Sequence, residues 1–133
     1  MESDVPEIGM GIDRAKSLDL QQRLIKFGAR TSRVAQSLLN TRDGRYISEQ
    51  LLRSGLAPGA NYAEARAAES RADFIHKLRI VLKELNETES WLRQIVVNDL
   101  VRSDKMAAII AENQELRWMI AASIKTARKA RPI

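Results

Sequence analysis

Glu84, Glu87 and Glu89 crowd together in the segment KELNETES, and clustered carboxylates are the raw material of metal sites and of general acid–base chemistry. A di-iron helical bundle, however, takes a Glu from each of two helices and a Glu-x-x-His from each of the other two. The chain has a single histidine, His76. One imidazole cannot complete that set, nor an HExxH zinc site, and His76 reads as a partly exposed packing residue. Without cysteine there is no thiol nucleophile, no disulfide framework and no Cys-ligated zinc or iron–sulfur centre. No GxxxxGK[ST] loop cradles phosphates, and no serine sits in a GxSxG elbow. The GMG at Gly9 to Gly11 follows no strand. These residues point away from an enzyme and imply no cofactor and no metal.

The arginines and lysines offer different chemistry. Arg23, Lys26, Arg30 and Arg33 recur at steps of three and four, which sets them along the outer face of one helix. Arg45 and Arg53 follow on the next segment, and Lys125, Arg128 and Lys129 near the end. Phosphates are gripped by such side chains, although outward cations on helices also serve simply as solvated surface. The charge is unevenly spread. From Arg14 to Ala60 nine basic residues face three acidic ones, from Asn61 to Glu115 eight face ten, and from Arg117 onward five face none. The formal net charge is +5. RNA or DNA is therefore a candidate partner, and those nine side chains are the candidate contacts. Aromatic and basic residues adjoin only at Arg45-Tyr46 and Arg117-Trp118.

Helices must position these groups. Aromatics make up only 5% of 133 residues, and the abundance of Ala and Leu favours helix over sheet. The organising stretch is Arg71 to Asp99. There Phe74, Leu78, Val81, Leu85, Thr88, Leu92 and Ile95 form one continuous stripe, which predicts a long helix against which the others pack. Residues 1–16 read as a flexible arm. Helix one is expected from Ser17 to Leu39, capped by Ser17 or Asp19, with Leu20, Leu24, Phe27, Thr31, Val34 and Leu38 inward. Gly28 within it marks tolerated surface or a close crossing. After the turn at Asn40 to Gly44, helix two is expected to break near Pro58, with Gly55 and Gly59 easing the bend. Asn61 would cap the restarted segment and Glu64 would close a capping box; a ligand or assembly contact is the alternative for that pair. The small residues around them would let another backbone approach closely.

Helix four is expected from Lys105 to about Ala127, with Ser103 or Asp104 as its cap. Ile109, Asn113, Leu116, Ile120, Ser123 or Ile124, and Ala127 face inward. Met106, Ile110, Trp118 and Met119 add more apolar surface than one seam needs, which suggests a subunit interface. The bundle spans 17–128 and a basic tail follows at 129–133, where Pro132 stops any helix. Neither a secretion signal nor a membrane span is expected, so the protein reads as soluble and cytoplasmic.

Two stretches carry a resemblance. One is Gln50 to Gly55 running into Gly59-Ala60-Asn61-Tyr62-Ala63-Glu64-Ala65. The other is Asp73 to Glu89, with Phe74 at its entry and Glu87 in its glutamate-rich middle. Through them, over about residues 20–128, the chain resembles the small four-helix-bundle proteins encoded by intervening sequences in bacterial large-subunit ribosomal RNA genes. Accessory proteins of diversity-generating retroelements are related to that family. Lys83-Glu84 stands where the family often has Gly-Ser, and Thr88 where it has Leu. The resemblance implies an antiparallel up-down four-helix bundle with Pro58, Asn61, Glu64, Phe74 and Glu87 as signature positions. It also implies homo-oligomers, pentamers around a channel in several members. For the retroelement branch it implies association with a reverse transcriptase and with nucleic acid. Two readings therefore stand: an oligomeric module presenting surface to a protein or nucleic-acid partner, and a nucleic-acid-binding retroelement accessory protein.

Overall fold

The computed structural model describes residues 13–129; the remainder of the expected arm, the end of the tail and Pro132 lie outside the described residues. Four α-helices follow one another: α1 (Arg14–Gln36), α2 (Arg42–Arg66), α3 (Arg71–Val97) and α4 (Ser103–Lys129). Their connections are only a few residues long, which forces neighbours to run antiparallel. Cross-helix partners bear this out, since Arg53 meets Glu87 while Lys77 meets Glu64. Each helix packs on the next, and α4 closes the ring against α1. The result is an all-α four-helix bundle. No described helix is long and apolar enough to cross a membrane.

The stripe of α3 is buried in full, from Phe74 through Leu78, Val81, Leu85, Thr88 and Leu92 to Ile95. It lies between α2 and α4, with α1 diagonally opposite, and the core residues of all four helices join in one buried cluster. α3 ends in a Schellman turn: Leu100 N–H donates to Ile95 O and Asp99 N–H to Val96 O, both at 3.0 Å. Asp99 takes the left-handed φ of 56° that this stop requires, a post more often held by glycine.

Helix starts differ from expectation in instructive ways. α1 begins earlier, because Asp13 accepts from the N–H groups of Ala15 and Lys16 at 2.7 and 3.2 Å. Ser17 is not a cap but a buried residue whose hydroxyl bonds the Tyr62 phenol at 3.1 Å. Ser103 and Asp104 likewise fall inside the first turn of α4 rather than before it.

The largest correction concerns α2, which runs unbroken through Pro58. Pro58 is buried, so the packing of α2 against α1 and α3 holds the helix together despite the missing amide. Asn61 is therefore a half-buried interior residue of α2 and caps nothing. Gly55 and Gly59 do not ease a bend; they admit α1. A Cβ on Gly55 would sit 2.1 Å from Thr31 Oγ1, and one on Gly28 would meet Gly55 O at 3.1 Å. The two backbones cross in near contact there, which is the close crossing that Gly28 foreshadowed.

The stripe of α4 is buried as its spacing predicts. The apolar surplus beside it is mostly absorbed by the monomer. Met106 is fully buried and Ile110 and Met119 pack on the edge of the core. Only Trp118 stays out, 69% exposed.

Candidate nucleic-acid interface

The candidate cations divide into those that hold the bundle and those that face solvent with no acidic partner among the described residues. Arg23 on α1 donates through Nε and Nη2 to the two carboxylate oxygens of Glu112 on α4, at 2.8 and 2.9 Å. Its hydrogen bonds hold the Glu112 carboxyl below the ordinary carboxylate range, helped by the nearby charge of Arg30. Arg30 is half-buried, not fully outward. Arg53 on α2 bridges to Glu84 and Glu87 on α3. That guanidinium is the main cause that lowers the Glu87 pKa, and the Trp91 indole N–H also donates to Glu87 at 3.3 Å. Arg23 and Arg53 thus spend their charge inside the molecule.

The signature positions prove to be mostly structural. Glu64 pairs with Lys77 at 2.8 Å across α2 and α3; it does not close a capping box. Phe74 is core and Pro58 is buried. Asn61 makes no side-chain hydrogen bond to a described residue, whereas Asn113 on α4 is wholly buried and donates to Leu85 O and to Glu89 Oε1. Burial pushes the Glu89 carboxyl up, but the bonds from Asn113 and Arg93 outweigh it and hold it low. Arg117 bonds Asn86 at 2.7 Å and lies 3.8 Å from Glu89, so the Arg117-Trp118 pair contributes its indole but not a free guanidinium.

Lys26 and Arg33 are exposed on α1, and Arg45 is exposed on α2 with one nitrogen 3.4 Å from Leu39 O. Lys125, Arg128 and Lys129 are exposed on the last turns of α4. Antiparallel packing sets those turns beside the start of α1. Between them lies a cleft of about 580 Å³ whose wall includes Lys16, Ser17, Tyr62, Trp118, Ser123 and Thr126. Burial pushes the Tyr62 phenol up, so it stays protonated on the cleft floor beside Ser17. Lys16, Lys125, Arg128 and Lys129 form no ion pair with an acid among the described residues. Lys16 and the cleft escaped the sequence reading, which left residues up to Lys16 in the arm. The signal was Asp13 three residues ahead of Lys16, a helix-starting carboxylate before a charged first turn.

The family model described as 23S rRNA-intervening sequence protein matches residues 16–122. A 1.70 Å crystal structure from Bacteroides thetaiotaomicron, described as a protein of unknown function from the S23 ribosomal protein family, is 35% identical in sequence. The match covers 83% of this chain and 98% of that one, with a TM-score of 0.77. No curated protein matches.

Proposed function

We propose a function from one premise: the chain belongs to the family of 23S rRNA-intervening sequence proteins. It acts through its surface, as a non-enzymatic helical module whose basic end binds the phosphate backbone of RNA or DNA. The observation that carries this reading is the run of Lys125, Arg128 and Lys129 exposed on the last turns of α4, at the end of the bundle where Lys16 of α1 and its N-cap Asp13 wall the cleft, with no acid paired to these cations among the described residues. Cations already held by carboxylates add little to polyanion binding, because the counterion they would release is missing. Free ones contribute in full.

Fluorescence anisotropy with a labelled RNA hairpin and a labelled DNA duplex tests it. Between about 50 and about 200 mM salt the logarithm of the binding constant should fall linearly with the logarithm of salt, each phosphate engaged adding roughly 0.7 to 0.9 to the steepness of the slope. Replacing Lys125, Arg128 and Lys129 together by Gln should remove most of that slope. Millimolar or weaker binding of both ligands at the lower salt would overturn the reading.

A second reading concerns assembly. Ile25 and Leu56 are 55% and 49% exposed and flank the crossing of α1 and α2. Leu18 and Leu52 extend the same two helix faces, seven and four residues away, and are exposed as well. This patch, rather than α4, is the apolar face that supports a homo-oligomer; five copies is the number that the family resemblance implies.

A further inference from the structure

Trp118 is the largest side chain that the fold leaves outside, and it stands on a ridge. It lines the α1–α4 cleft on one side and, on the other, a groove of about 390 Å³ walled by Leu82, Asn86, Gln114, Arg117 and Ala121. Its own helix carries Lys125 seven residues on and Lys129 eleven residues on, which places both on the same outward face. Across the cleft stands Lys16. An indole with solvent on its faces and unpaired cations at the spacing of neighbouring turns is the arrangement by which proteins hold unpaired nucleotides. The base stacks on the ring while the phosphates that follow it along the strand meet the charges. Duplex offers no such base, because its rings are already stacked on one another.

We propose that this is a single-strand site: Trp118 stacks one unpaired base of RNA or DNA, and Lys125, Lys129 and Lys16 hold the phosphates that run on from it toward the end of α4. The inference rests on the nucleic-acid reading and narrows it from any polyanion to unpaired nucleotides. The cleft is of a size that takes a small organic group, within the usual span of roughly 300 to 1,000 Å³. The Asp13 carboxylate and the hydroxyls of Ser123 and Thr126 meet the polar edge of a base, while Leu20 and Met119 give its ring apolar contact. Thr126 is exposed, and Ser123 donates to Met119 O while keeping its lone pairs free.

The test uses the full chain and three probes: a short single-stranded RNA, an abasic strand of the same length, and a blunt duplex. The wild-type protein should bind the RNA more tightly than the abasic strand by about tenfold, the usual worth of one stacked base. Trp118→Ala should abolish that difference, leaving the affinities for abasic strand and duplex, and the salt slope, unchanged. Trp118→Phe should keep most of it. Because the side chain is exposed, circular dichroism should show both variants folded. Equal wild-type binding of RNA and abasic strand would overturn the inference and leave the electrostatic reading standing. Failure to bind any probe would overturn both. A fall in oligomer mass on Trp118→Ala would also overturn it, by showing that a second copy of the chain covers the indole.

Discussion

The Arg23 guanidinium forks onto the Glu112 carboxylate, Nε to Oε2 at 2.8 Å and Nη2 to Oε1 at 2.9 Å. It does so across the pair of neighbouring helices that touch least, α1 and α4. A two-pronged bond of this kind fixes orientation as well as distance. Both side chains remain partly exposed, so solvent screens the pair. Arg23→Ala should lower stability in urea by only about 1 kcal/mol. The same variant should leave the salt dependence of nucleic-acid binding unchanged, because Arg23 is already neutralised. A slope reduced by about 0.7 or more would show instead that Arg23 releases Glu112 to meet a phosphate.

The α1–α2 crossing leaves no room for a side chain at Gly55. Gly55→Ala would place a Cβ 2.1 Å from Thr31 Oγ1 and 2.7 Å from Thr31 Cβ, whose own rotamer is fixed by a bond to Gly28 O at 2.8 Å. Thr31 has nowhere to retreat, so the helices must part. Overpacking of this sort costs about 1 to 3 kcal/mol, against a gain in helix propensity of roughly 1 kcal/mol. Gly28→Ala meets only Gly55 O at 3.1 Å and a flexible Leu56 methyl at 3.2 Å. Urea midpoints should therefore drop clearly for Gly55→Ala and much less for Gly28→Ala.

Asn61 does not fill the capping role that its sequence context suggests, whereas Ser70 does cap a helix. Ser70 accepts from Asp73 N–H at 3.0 Å and caps α3, so Ser70→Ala should cost about 1 kcal/mol. Asn61 sits in a helix interior, where alanine is the better residue by a few tenths of a kcal/mol or more. Asn61→Ala should leave the urea midpoint unchanged or raise it slightly. A loss as large as that of Ser70→Ala would mean that α2 is interrupted after all.

Why the sequence misled there, and not elsewhere, is a matter of range. The stripes of α3 and α4 were legible because helical periodicity is local, and each buried position follows from its neighbours in the chain. Pro58 carries an equally clear local signal for a break, but the outcome was decided by contacts with α1 and α3 that no local window contains. The same limit explains the candidate site. Lys125, Arg128 and Lys129 were visible as a basic run, whereas Lys16 joins them only through the antiparallel return of α4. Arg23 and Arg53 looked like phosphate ligands until their acids, 89 and 31 to 34 residues away, came alongside.

Acid should loosen the bundle at three cross-links. The carboxyls of Glu87, Glu89 and Glu112 are all held below their ordinary value of 4.5. A carboxyl with a lowered folded pKa stabilises the fold above its unfolded value, and that contribution is lost as pH falls through the folded pKa. Stability should thus be level near neutrality and decline once the pH passes below 4.5. Glu112→Gln should make the decline shallower, since one of the three titrating groups is gone. A decline of unchanged steepness would assign the acid sensitivity to other carboxyls.

The apolar patch on α1 and α2 predicts what holds copies of the chain together. Ile25 and Leu56 keep about half of their surface in water although both touch the crossing backbones, and exposed leucines at Leu18 and Leu52 lengthen the patch. Apolar surface gathered in one place on a small protein marks an interface more often than scattered single residues do. Sedimentation equilibrium at micromolar concentration should return a multiple of the 15.0 kDa chain mass. Ile25→Lys combined with Leu56→Lys should return the single-chain mass while circular dichroism stays helical, because neither side chain belongs to the buried core. Trp118→Ala should leave the mass as it was, since the stacking face and the assembly face lie on different helices. A wild-type mass of 15.0 kDa across the concentration range would show that the patch joins no second copy, and its occupant would then be sought among other proteins.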